Sequence, residues 1–428
     1  MKLNKTIEFP KGFLWGTAAS SHQVEGGNSN NDWWDWEQKP DTIKNGDKSG
    51  KSCNHYELYE TDFRILAGMG TNAHRLGIEW SRIVPEEGTI NREAIDHYKR
   101  VLDSARSMGL EVFATTHHFT SPLWFTKKGG FLIEENLDYF KQYIEIIARE
   151  LSPLLNYWNT INEPAVYAVM GWMTGIFPPG HQDVGESIKV LRNIILAHAA
   201  AYHGLKEHSP NEVQVGIVKN IPHFVPSDPE SDQDIQMAAS QDNFFNEYHL
   251  HGIETGILNL GEQEEISGLK GSTDFYGLNY YMEMICDQNH PTEPTPSRPD
   301  EKKTQMEWGV HPSGLYAGMM RLKEYGRPIY ITENGIATDD DSWRIDYITR
   351  HLEQVRKAID DGADVRGYFY WSNIDNFEWA LGWTPRFGLI GFDPDTFERK
   401  VKTSGEFYGE CARVGAVTPE IVAKYIND

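Results

Sequence analysis

Eight short β-rich runs, each followed by room for a helix, leave this chain few folds to choose from. The runs are "GFLWGTAAS" (12–20), "AHRLGIEW" (73–80), "EVFATTHHF" (111–119), "LNYWNTINEP" (155–164), "EVQVGIVKN" (212–220), "DFYGLNYY" (274–281), "PIYITENG" (328–335) and "VRGYFYWSN" (365–373). Their starts lie 37 to 62 residues apart, enough for a helix and a loop each time. Segments 91–110, 135–154 and 345–363 carry apolar residues at helical spacing, the first ending in a glycine. Strand–helix alternation repeated eight times predicts an α/β chain closed as a (β/α)8 TIM barrel, with one domain over 1–428. An apolar fraction of 39% supplies a core for such a unit.

Composition narrows the partners. A net charge of −23 argues against nucleic acid, because phosphate backbones are met by clustered Lys and Arg. The opening "MKLNKTIEFPKGFLWG" lacks the apolar stretch of a signal peptide, and no segment approaches the ~18 apolar residues of a membrane span. Cys53, Cys286 and Cys411 are odd in number and widely spaced, which fits a reducing compartment. The expectation is a cytoplasmic protein with no membrane partner; a homo-oligomer is left open.

Two glutamates stand out, one in "TINEP" (160–164) and one in "YITENG" (330–335), at the ends of the fourth and seventh runs. Strand C-termini in such barrels face the active site. A buried carboxylate is costly unless paired or employed. Two across one pocket suit acetal cleavage, in which a neutral acid protonates the leaving group while an anion attacks the oxocarbenium-like centre.

"NEP" and "TENG" together resemble glycoside hydrolase family 1, the retaining β-glucosidase and β-galactosidase family. So do "FLWGTAASSHQVEGG", "HRLGIEWSRI", "HHFTSPLW", "GLNYY" and "WSNIDNFEWALGWTPRFGL", each in the expected order along nearly the whole chain. The resemblance implies that Glu163 is the acid/base and Glu333 the nucleophile. It places Asn162 on the sugar 2-OH, Arg75 and Tyr281 against the nucleophile, and Asn279 in support of the same pocket. Gln23, His118, Glu378 and Trp379 match the glycone-binding positions, Trp371 the stacking platform, and Trp308 the aglycone side. Glu378 would meet O4 and O6, and a carboxylate there argues against a phosphorylated glycone. Arg75 also fits a barrel-core ion pair. Trp124 fits either the site wall or the core, and Trp33, Trp34 and Trp36 either a packed loop or a subsite rim. "HHF" departs from the family's frequent His-Trp by putting Phe119 in place of an indole donor. Glu79 stands where a serine is frequent. The proline-rich 287–303 segment reads as a surface loop or as a flap over the entrance.

The implied activity is a cofactor-free retaining exo-β-glycosidase acting on a small glycoside or oligosaccharide. Its glycone would be terminal β-D-glucosyl, also β-galactosyl or β-fucosyl. A transglycosidase using the same residues, or a galactose-preferring enzyme, are the alternatives. Metal-dependent hydrolysis finds no support in the sequence. The end of the first strand leads into "SHQ" (21–23) in place of His-x-His, and adjacent His117 and His118 point to opposite faces of a strand. A non-catalytic sugar-binding protein would have lost one of the two glutamates.

Overall fold

The computed structural model describes residues 3–260, 262–290 and 294–426. Eight strands close on themselves: β1 (Leu14–Ala18), β2 (Ala73–Gly77), β3 (Glu111–His117), β4 (Tyr157–Asn162), β5 (Gln214–Asn220), β6 (Phe275–Asn279), β7 (Ile329–Asn334) and β8 (Val365–Trp371). Every neighbouring pair is parallel, and β8 returns to β1 with Gly367 against Leu14 and Trp371 against Ala18. The fold expected from the alternation is the fold observed.

Helices cover the outside: α1 (His55–Met69), α2 (Arg92–Ser107), α3 (Leu137–Leu151), α4 (Val184–His208), α5 (Asp232–Asp242), α6 (Tyr248–Thr255), α7 (Pro312–Lys323), α8 (Asp341–Asp360) and α9 (Thr403–Val414). Their starts are set by local chemistry. The side chains of Asn91, Asp183 and Asp340 each accept a backbone N–H at the first turns of α2, α4 and α8, satisfying donors that a helix leaves open. Between α5 and α6 the helix widens into a π turn, Asn243–Glu247. The chain ends are tied by Ile7–Glu8 pairing with Ala416–Val417; the expected domain limits, residues 1 and 428, lie outside the described residues.

The lower half of the barrel is filled by rings. Phe113 lies 5.0 Å from Tyr330 and 4.8 Å from Phe369, and Phe275 lies 5.2 Å from Tyr330, all edge-on. Each such pair adds about 0.5–1.5 kcal/mol beyond its area burial. Glycine makes room for them: a Cβ on Gly16 would stand 2.4 Å from the Phe369 ring. This aromatic floor leaves the C-terminal mouth to polar side chains.

In the 287–303 segment, residues 291–293 lie outside the described residues. Thr295 pairs with Ile285 and the Gly309 N–H donates to the Pro296 carbonyl at 2.8 Å, which brings the segment beside Trp308.

Candidate active site

Both glutamates are delivered by an interruption in their strands. On β7, Leu278 and Asn279 of β6 face Ile331 and Glu333, so Thr332 is an extra residue. Counting by twos from inward-facing Tyr330 would turn Glu333 outward; the extra residue turns it in. The β4 register slips likewise, with Asn159 and Asn162 against Gly216 and Val218 of β5. Glu163 was expected to end the fourth strand. It lies one residue beyond, at φ 46°, capping the short helix Pro164–Ala168. Pro164 has no N–H to continue the ladder, and a left-handed non-glycine residue is strained. The Glu163 N–H is held by the Val218 carbonyl at 2.9 Å.

Glu333 is 3% exposed and sits between two donors. The Arg75 guanidinium donates to its Oε1, and the Tyr281 hydroxyl to its Oε2 at 2.7 Å. Arg75 itself is fully buried, with Nη2 on Asn162 Oδ1 at 2.7 Å and Nε on Thr115 Oγ1 at 3.1 Å. The two readings of Arg75, core ion pair and partner of Glu333, are therefore one contact. With its Oδ1 taken by Arg75, Asn162 must donate Nδ2 to His118 Nε2, at 3.1 Å. The His118 proton is thereby assigned to Nδ1, which has no protein partner. Burial, then the Arg75 charge, hold His118 neutral, well below its usual range.

Glu163, 6% exposed, has no such cation bonded to it. Its Oε1 accepts amide protons from Asn279 at 2.7 Å and Asn220 at 3.3 Å. Asn279 Oδ1 is fixed by the Thr332 hydroxyl at 2.7 Å, so its amide orientation is set. Burial, and next the charge of Glu333, raise Glu163 to about 8, against the pull of the Asn279 amide. Of the two carboxyls in this mouth, Glu333 is ion-paired and Glu163 holds its proton near neutrality.

Across the mouth, Gln23 Nε2 donates to Glu378 Oε2 at 3.2 Å and to the Phe377 carbonyl at 3.0 Å, while Ser20 Oγ fixes Gln23 Oε1 at 2.7 Å. Glu378 is likewise raised to about 8, by burial first and Glu333 second. His118 lies between two indoles, 5.9 Å from Trp371 and 6.0 Å from Trp379, nearly parallel to both. Trp308 stands 5.5 Å from the Tyr281 ring and 6.4 Å from that of Phe387. The side chains expected to form the site thus converge on one mouth.

The open cases among the aromatics separate. Trp33 is fully buried and backs Trp379 at 4.6 Å. Trp36 packs over Gly180, and Trp124 donates to the Val84 carbonyl and meets the Trp80 ring edge-on. Phe119, at φ 69°, lies 5.3 Å from Trp379, an apolar edge where an indole was frequent. Glu79 caps Trp80–Ile83 and accepts the Thr120 hydroxyl at 2.9 Å, so it supports the loop that carries His118 and Phe119. Sequence reading missed Thr115, Thr332 and Asn220. The last could have been found, since it ends the fifth run.

The profile of Glycosyl hydrolase family 1 matches residues 5–416. The chain belongs to glycosyl hydrolase family 1. Beta-glucosidase A of Thermotoga maritima is 34% identical, covering 95% of this chain and 98% of its own. A beta-galactosidase of Pyrococcus woesei is 32% identical over 91% of this chain and 94% of its own. The solved beta-glycosidase from Pyrococcus horikoshii superposes with a TM-score of 0.91 at 44% identity, over 98% of each chain. This family 1 hydrolase is thus matched along nearly its whole length by each of them. Among its described residues no helix is long and apolar enough to cross a membrane.

Proposed function

We propose that this enzyme removes terminal β-D-glucosyl residues with retention, Glu333 acting as nucleophile and Glu163 as acid then base. The observation that carries the reading is the asymmetry between them: Glu333 bonded by Arg75 and Tyr281, Glu163 bonded by neutral amides and raised to about 8. In the first step the Glu333 carboxylate attacks the anomeric carbon. Glu163 gives its proton to the glycosidic oxygen, the alcohol leaves, and an ester joins Glu333 to the sugar. The negative charge that held Glu163 protonated is then gone. Glu163, now a carboxylate, takes a proton from water as that oxygen attacks the anomeric carbon and Glu333 departs.

Asn162, His118 Nδ1, Gln23 and Glu378 surround the place for sugar hydroxyls, with Trp371 as platform and Trp308 beside the leaving group. The chain works as one catalytic domain, and its three free, buried cysteines support a cytoplasmic location. A galactose preference is the second reading, favoured by the Pyrococcus woesei relative; transfer to a sugar acceptor is not favoured by the relatives' names. The test is an NMR time course on 4-nitrophenyl β-glucoside and β-galactoside. β-Sugar released first supports double displacement and the two rates rank the glycones; α-sugar released first overturns the assignment.

A further inference from the structure

The alternation of β5 puts Val215, Ile217 and Lys219 on the helix-facing side of the barrel wall. A lysine ends an apolar stripe there and is 0% exposed. Its Nζ donates to two carbonyls, Asn220 O at 2.8 Å and Phe245 O at 2.6 Å, and lies 4.7 Å above the Phe245 ring. One of these acceptors belongs to the π turn between α5 and α6. The other belongs to the residue whose side-chain amide touches Glu163. Val218, the residue before Lys219, accepts the Glu163 backbone N–H. A buried ammonium given only carbonyls and a ring is expensive to keep unless its charge is used.

We propose that Lys219 is a positioning residue for Glu163, fixing the Asn220 end of β5 and supplying the positive charge against which Glu163 ionises in the second half of turnover. The proposal rests on Glu163 being the acid/base. Burial pushes Lys219 down to about 7, and the Glu163 charge acts in the opposite sense. The coupling is reciprocal, so each group holds its charge more firmly when the other is charged. The remaining charged and titratable groups facing Lys219 are Arg321 and Asp242, bonded to each other at 2.7 Å, and His249 on α6. Burial and the Lys219 charge keep His249 well below its usual range.

The test uses 2,4-dinitrophenyl β-glucoside, whose leaving group needs no proton, so that turnover reports the deglycosylation step. Lys219→Met is expected to lower kcat about tenfold, equivalent to about 1.4 kcal/mol on the barrier. Added azide is expected to restore it: azide attacks the anomeric carbon, displaces the Glu333 carboxylate and gives the β-glycosyl azide without a general base. A loss that azide does not restore is a distorted barrel and overturns the proposal, as does a kcat within twofold of the unaltered enzyme. Glu163→Gln is run alongside. If azide fails to restore that variant, the acid/base assignment falls; if it restores Glu163→Gln but not Lys219→Met, only the role of Lys219 falls. Should Lys219→Met not fold, ε-15N-lysine NMR on the unaltered enzyme decides. Trapping Glu333 as its 2-fluoroglycosyl ester frees Glu163 to ionise and should raise the Lys219 titration by about half a unit or more; an unmoved titration overturns the proposal.

Discussion

Neutralising Glu333 should release the proton of Glu163. Burial and the Glu333 charge are the two largest causes of its rise to about 8, in that order, and only the second can be switched off without remaking the site. Carboxyls in retaining glycosidases stand roughly 5–5.5 Å apart. With an effective dielectric near 20 their repulsion is about 3 kcal/mol, or about 2 pKa units. Arg75, bonded to Glu333 and also acting on Glu163, offsets part of this. The expected fall is therefore about 1–2 units, leaving Glu163 above the ordinary value of about 4.3 because burial remains. The perturbation is a 2-deoxy-2-fluoroglucoside that traps Glu333 as a stable ester. The assay is 13C-carboxyl NMR of labelled glutamates against pH, with Glu163→Gln identifying the resonance. An unmoved titration would refute the charge coupling. A return to the ordinary carboxyl range would refute burial as the larger cause.

Three further outcomes follow from the same geometry. Because its folded pKa lies above its unfolded one, Glu163 stabilises the fold below about pH 4, a contribution lost as pH rises towards 8. The Tm of Glu163→Gln should accordingly gain on the unaltered enzyme between pH 5 and pH 8, read by calorimetry; a gap constant with pH contradicts the shift. Glu378→Gln should lower kcat/KM on both the glucoside and the galactoside by roughly threefold or more, the worth of one ordinary hydrogen bond. Equal rates would remove Glu378 from the sugar site. Gly16→Ala, whose methyl would meet the Phe369 ring at 2.4 Å, should cost about 1–3 kcal/mol in denaturant unfolding while leaving KM unchanged.

The barrel was legible because eight β-rich runs at regular intervals admit few other closures, and the floor of Phe113, Phe275, Tyr330 and Phe369 lies where those runs put it. The site residues were legible through motif order, a form of reading that says which residues matter without saying how they arrive. Period-two counting along "YITEN" turns Glu333 towards the helices, and nothing in the letters marks Thr332 as the extra residue that reverses it. The same holds for the left-handed turn at Glu163: Pro164 hints that the strand stops, but not that the side chain stays over the mouth. Asn220 was open to the same reading, as the last residue of the fifth run, but no motif drew attention to it. Lys219 was visible as a charge in an apolar stripe, yet its carbonyl partner on the π turn lies 26 residues away and only folding brings it near.

The aromatic floor makes the mouth of the barrel a blind alley. A sugar stacked on Trp371, as proposed above, would have no exit below, and whatever was attached to it would occupy the way out. Departure is therefore first in, last out: the aglycone must clear the entrance before water can arrive, and the glycone leaves after both. A polymer cannot be threaded through and cut midway, so only chain ends are open to attack. Free sugar, entering by the same route, competes with every new substrate for the deepest seat.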